Sequence, residues 1–116
     1  MKLINLIRIS ASLMAVILLL GCSVKSSPEL GAFASCLTEK GAEMYGTYWC
    51  SHCQAQKEMF ESSFSKINYI ECTVDVQKCK EAGVTGYPTW KFKDGSVLGG
   101  VQDFTVLAKK TGCSLS

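Results

Sequence analysis

Cys50 and Cys53 stand two residues apart in the stretch Tyr48-Trp49-Cys50-Ser51-His52-Cys53-Gln54, and His52 is the only histidine in the chain. Cysteines at this spacing can clamp a metal, form a structural disulfide, or act as a dithiol that trades electrons with other proteins. The third use needs a thiolate, because an ordinary cysteine, with a pKa of about 8.5, is mostly protonated at neutral pH. Beyond Cys50 the pattern turns helical: in Ser51 to Phe64, residues Cys53, Gln56, Lys57, Phe60 and Phe64 recur at three- and four-residue steps. Cys50 is therefore expected at a strand-to-helix turn, at or near a helix N-terminus. Unpaired N–H groups and roughly half a positive charge there stabilise a thiolate. His52, in the first turn, can add a positive charge or a hydrogen bond. Both effects favour the reduced pair and so make its disulfide a stronger oxidant, with each 30 mV worth about 1.4 kcal/mol.

The elements that must position this pair follow from the flanking patterns. Leu30 to Thr38 carries apolar residues at 30, 33, 34 and 37, the spacing of a short helix that ends near Lys40-Gly41. Ala42 to Trp49 is rich in aromatic residues and reads as a buried strand leading into Cys50. Ile67 to Cys72 predicts a second strand, and Val76 to Ala82 a short helix closed by Gly83. Pro88 precedes a third strand, Thr89 to Phe92; Asp94-Gly95 is a hairpin signal, with the return through Ser96 to Leu98. Asp103 can cap a last helix, Phe104 to Thr111, which Gly112 stops before Cys113. The order α-β-α-β-α-β-β-α predicts an α/β fold, a small central mixed sheet flanked by helices.

The start of the chain belongs to a different kind of segment. Lys2 and Arg8 give a basic beginning, and Ile9 to Leu20 is an apolar run of 12 residues. A permanent membrane span needs about 20, so this length fits the core of a secretory signal. Leu19-Leu20-Gly21-Cys22 resembles a bacterial lipobox, which implies a lipoprotein signal peptide over 1–21 and lipidation of Cys22, with an ordinary cleaved signal as the alternative. Residues 22–29, small, polar and containing Pro28, read as a flexible tether, leaving 30–116 as one small domain. With Lys2 and Arg8 removed, twelve basic residues become ten against ten acidic ones. Near neutrality gives no electrostatic case for nucleic acid. Seven cysteines are present, and six remain once Cys22 is set aside. An exported location is oxidising, and six cysteines allow 15 connectivities, which stay open at this level.

Strand, Trp49, Cys50-Ser51-His52-Cys53, helix, then Tyr87-Pro88-Thr89 before an edge hairpin resemble the thioredoxin fold. More narrowly, "GAEMYGTYWCSHCQAQKEMF", "YIEC" and "GYPTW" resemble the thioredoxin-like domain fused to bacterial vitamin K epoxide reductase homologues, over nearly all of Phe33 to Gly112. The resemblance implies that Cys50 attacks and Cys53 resolves the mixed disulfide, and that Pro88 is cis and faces the site. It also implies that Trp49, Tyr87 and Thr89 line the substrate-contact surface, with simple rim or core packing the alternative for Trp49 and Tyr87. The family domain carries a second cysteine pair after its second strand, which implies a structural disulfide Cys72–Cys79, with a relay dithiol as the sharper alternative. Cys36 and Cys113 are then left for each other.

Two departures matter. Cytosolic thioredoxins have a buried carboxylate six positions before the first cysteine; here that position is Met44, and strand alternation turns Glu43 to the opposite face. Proton transfer to Cys53 then falls to water, His52 or Lys57. The Ser-His dipeptide is closer to protein disulfide isomerases and periplasmic oxidases than to thioredoxin, which favours an oxidising or isomerising role. Beyond the signal there is no long apolar stretch, so the quinone chemistry of the fused homologues is not expected in this chain, and the recycling partner is a membrane quinone-linked or another redox protein.

The expected protein is a thiol-disulfide oxidoreductase, lipid-anchored in a bacterial cell envelope, acting on exported cysteine-containing proteins without metal or organic cofactor. Ser23 is not the Asp linked to inner-membrane retention, which leaves an outer-membrane address open. Zinc is disfavoured because one Cys-x-x-Cys and Cys72-x6-Cys79 do not make a matched ligand set. The alternative is a lipoprotein binding or assembly module whose Cys50–Cys53 bond is merely structural, against which stands the small entropy gain from closing so short a loop.

Overall fold

The structure, a computed structural model, describes residues 26–115. The expected signal peptide and Cys22 lie outside the described residues. Helix α1, Pro28–Glu39, begins inside the stretch read as a tether. Ser27 caps it by accepting the Leu30 N–H at 3.2 Å, and Pro28 takes the first helical turn, where its missing N–H is no loss. Ser26 is held as well: its hydroxyl accepts from the Ser63 N–H at 2.9 Å, and its own N–H donates to Ser62 Oγ at 3.1 Å. A polar composition thus does not leave 26–29 free, because Ser27 caps its own helix and Ser26 finds partners on a later one.

Four short strands form one sheet: β1 (Glu43–Gly46), β2 (Tyr69–Glu71), β3 (Thr89–Lys91) and β4 (Val97–Gly99), in the order β2-β1-β3-β4. β1 runs parallel to β2 and antiparallel to β3, and β3 is antiparallel to β4. This is the expected α/β architecture with a small mixed sheet. Helices α2 (Ser51–Phe60), α3 (Val76–Glu81) and α4 (Phe104–Thr111) complete it, with a 3₁₀ helix at Glu61–Lys66.

Two boundaries differ from the sequence reading. The aromatic run was expected to stay in the sheet to Trp49, yet β1 ends at Gly46, and Tyr48 and Trp49 are 68% and 62% exposed. Gly46 pairs with Glu71, the last residue of β2, and β1 meets β3 only as far as Thr89. The next residue along β3 is Pro88, which has no N–H to offer, so nothing remains for residues 47–49 to pair with. The helix after Cys50 was expected to reach Phe64. It ends at Phe60, where Glu61, at φ 53°, turns the chain into the 3₁₀ helix.

Strand alternation sorts the core. Met44 and Trp90, paired in register, are fully buried on one face with Phe33, Leu37, Phe60 and Leu107. The Phe60 and Phe104 rings lie 4.8 Å apart and Phe33 meets Phe104 edge-on at 5.3 Å. The other face holds the smaller cluster of Tyr45, Ile70, Cys72 and Cys79. Two disulfides brace the fold. Cys36–Cys113 ties α1 to the segment after α4, across 77 residues, and Cys72–Cys79 ties the end of β2 to α3.

One buried polar group organises the main core. Gln56, fully buried on α2, accepts from the Trp90 indole N–H at 3.1 Å and from the Gln102 N–H at 2.7 Å, and donates to the Gln102 carbonyl at 3.1 Å. Gln56→Leu orphans both N–H donors, each at a cost of about 1–3 kcal/mol. The expected loss is roughly 2–4 kcal/mol, read as a lower urea midpoint; an unchanged midpoint would show that the network adds nothing.

Candidate active site

Cys50 is the N-cap of α2, extended at φ −80° and ψ 118°. In that conformation its sulfur points back over the helix start and accepts the Cys53 N–H at 3.2 Å. Cys50 and Cys53 are both free thiols. They differ in access: Cys50 is 7% exposed and Cys53 is sealed. His52 is exposed on the first turn of the same helix.

The loop before β3 closes the site from the other side. Tyr87–Pro88 is a cis peptide, Pro88 is buried, and the Cys50 thiol lies 3.6 Å from the Tyr87 carbonyl oxygen. The Trp49 and Tyr87 rings meet edge-on at 5.9 Å and flank Cys50, with Trp49 turned largely to solvent. Thr89 sits differently from these two. It is buried and its hydroxyl donates to the Gly86 carbonyl at 2.7 Å, which braces the loop.

Around Cys53 the structure brings together residues that the sequence reading did not single out. Burial, first, and then the hydrogen bond with Cys50 push the Cys53 thiol up to about 11, while the Thr47 backbone N–H and the Lys57 charge pull the other way. Met44 fills the core where a carboxylate was sought. Glu43 is engaged elsewhere, accepting the Tyr45 hydroxyl at 3.0 Å and lying 3.7 Å from Lys78 Nζ. Burial, reinforced by that bond to Glu43, pushes the Tyr45 phenol up to about 12.

Tyr69, on β2, stands by Cys53 instead, with Glu71 two residues further along the strand holding its hydroxyl. The Tyr69 hydroxyl donates to Glu71 at 2.7 Å. Burial would raise the Glu71 carboxyl, but hydrogen bonds from the Thr73 hydroxyl, Tyr69 and the Thr73 and Tyr48 N–H groups outweigh it and hold the group below the usual range. Two sequence signals pointed here: the two-residue step that puts Tyr69 and Glu71 on one side of a strand, and a glycine, Gly46, inside the strand leading to Cys50, which marks close approach. Among the described residues no group of three or more His, Cys, Asp or Glu side chains is placed to hold a metal.

A helix capped by one sulfur of a reduced pair, set on a mixed sheet opposite a cis-proline loop, defines a thioredoxin-like oxidoreductase domain. Known proteins agree at that level. The chain is 44% identical over 102 residues to thiol-disulfide oxidoreductase LTO1 of Arabidopsis thaliana, covering 80% of this chain and 27% of that protein. It is 34% identical over 58 residues to protein disulfide-isomerase A3 of Gallus gallus, and 32% identical over 79 residues to a protein disulfide-isomerase of Aspergillus niger. Those two matches cover 44% and 60% of this chain, and 12% and 15% of the isomerases. The chain thus spans about a quarter of the first relative's length and less of the other two. No family model matches it.

Proposed function

We propose that this chain is an exported thiol-disulfide oxidoreductase, lipid-anchored at Cys22 in a bacterial envelope, whose Cys50–Cys53 pair exchanges disulfides with exported proteins. The Cys50 thiolate attacks one sulfur of a partner disulfide. A Cys50–partner bond forms, and the partner's other sulfur leaves as a thiolate and takes a proton. The Cys53 thiolate then attacks Cys50 Sγ, closing Cys50–Cys53 and releasing the second partner thiol. Two electrons pass from this chain to the partner; run backwards, the same steps put a disulfide into a reduced chain.

The observation that carries the reading is Cys50 itself: a thiol capping a helix, reachable from solvent, beside a peptide carbonyl 3.6 Å away that an extended substrate chain can lie along. The cap position turns the N–H groups of the helix start toward the Cys50 sulfur, and Met44 removes the buried carboxylate of a thioredoxin. Both favour oxidation or isomerisation. Likeness of the "YWCSHC" and "GYPTW" segments to domains fused to vitamin K epoxide reductase homologues supports recycling of the pair by a membrane quinone-linked or another redox partner.

The test is the reduction potential of Cys50–Cys53, from equilibration with glutathione buffers and trapping of thiols. The expected value is about −120 to −180 mV, the range of oxidases and isomerases. A value near about −270 mV would make the chain a reductase, and a pair that cannot be reversibly reduced would end the catalytic reading.

A further inference from the structure

Cys53 is the demanding thiol in this scheme, because it must ionise while buried and no carboxylate stands behind it. The structure places a different group there. A side chain at position 46 would begin 2.9 Å from Cys53 Sγ, 3.1 Å from Tyr69 Cε2 and 3.3 Å from Tyr69 Oη. The resolving sulfur and the phenol therefore approach each other through the space that Gly46 leaves empty. Tyr69 is fixed from beyond by its 2.7 Å bond to Glu71, which is gripped in turn by the Thr73 hydroxyl at 2.7 Å and the Tyr48 N–H at 3.2 Å. Over the face of the Tyr69 ring, 4.1 Å from its centre, sits the ammonium of Lys57, which also lies 5.5 Å from the Phe64 ring centre. Lys57 is four residues after Cys53 on α2, the step that puts two side chains on one side of a helix.

We infer that Tyr69, anchored through its hydroxyl by Glu71, is the positioning residue that holds the Lys57 ammonium beside Cys53, so that a cation stabilises the resolving thiolate in place of a carboxylate that would take its proton. The inference rests on Cys53 being the resolving thiol. A half-buried ammonium on an aromatic face is held more firmly than one waving in solvent, and its attraction for a thiolate grows as water is excluded.

The charges around Cys53 make the effect specific to one step. On its own helix it faces Cys50 and Lys57; β2 presents Tyr69, with Glu71 behind the Tyr69 hydroxyl; Gly46 at the end of β1 and the Thr47 N–H just after it do not titrate. A Cys50 thiolate opposes ionisation of Cys53. Once Cys50 is bonded to a partner that charge is gone, while Lys57 remains. The proton then goes to water as the thiolate forms.

The test uses the full chain carrying Cys50→Ser, which removes the Cys50 charge as the mixed disulfide does. Ionisation of Cys53 is followed against pH by the NMR shift of its Cβ, which needs no reagent to reach the buried sulfur. The thiolate fraction is expected to rise with pH, because the thiol form is favoured until the pH passes the raised pKa. Adding Lys57→Gln or Tyr69→Leu is expected to move the curve to higher pH, with about tenfold less thiolate at a given pH below the midpoint. Tyr69→Phe, which keeps the ring under the ammonium, is expected to move it less, and Lys57→Arg to leave it nearly in place. Unchanged curves for Lys57→Gln and Tyr69→Leu would overturn the inference, as would a shift in Tyr69→Leu without one in Lys57→Gln. Whether Cys53 resolves anything is read separately, by capture of a disulfide-bonded peptide on Cys53→Ser. Failure of capture with a shifted curve would sink the resolving role alone.

Discussion

Cys50→Ser is expected to abolish disulfide exchange, lowering the rate at least about a thousandfold as removal of an attacking nucleophile does. Cys53→Ser is expected to be equally inactive in turnover but to accumulate a covalent adduct with its partner. The asymmetry follows from geometry. Cys50 has an exposed edge at the helix cap, beside Trp49 and the Tyr87 carbonyl, while Cys53 has no exposed surface and is reachable only by the sulfur of its neighbour. A partner disulfide can therefore meet Cys50 first, and only Cys53 can release it. Incubating each variant with a disulfide-bonded peptide and separating the products without reductant checks this. An adduct on Cys50→Ser and none on Cys53→Ser would reverse the roles.

Removing the long disulfide is expected to have the largest effect on stability. Cys36–Cys113 closes 77 residues and Cys72–Cys79 closes seven. In the chain-entropy model these contribute about 4.5 and about 2.5 kcal/mol. Small domains are stable by only about 5–15 kcal/mol in total, so Cys36→Ala with Cys113→Ala is expected to lower Tm by roughly 20 °C. The pair holds α1 against the segment that follows α4, while Phe33 of α1 meets Phe104 at the start of α4. Thermal denaturation measures the loss. A shift no larger than that of Cys72→Ala with Cys79→Ala would show that loop length does not govern the stabilisation.

The same contrast between near and distant partners explains what could be read from the chain in advance. Cys50 at a helix start, the hairpin at Asp94-Gly95 and the helix Phe104–Thr111 stopped by Gly112 at φ 79° all depend on residues within a few positions of each other. Local propensity and capping chemistry are written at that range. The ends of β1 and α2 are not. β1 stops at Gly46 because β2 stops at Glu71 and Pro88 interrupts β3, facts about strands some 25 and 40 residues away. Helical spacing turned Gln56 inward, but nothing nearby announced that Trp90 and Gln102 would need its amide.

The sequence by itself determined the chemistry available: two thiols one helical turn apart, a cap to activate one of them, and a proline loop to face it. Only the tertiary structure decided the surroundings of the second thiol. Cys53, Lys57, Tyr69 and Glu71 belong to a helix and a strand that meet because Gly46, on a third element, has no side chain to keep them apart. The reason is physical. A nucleophile is primed by the backbone of its own turn, whereas a buried charge is governed by whatever the folded chain brings within a few ångströms, and that is settled by packing rather than by order along the chain.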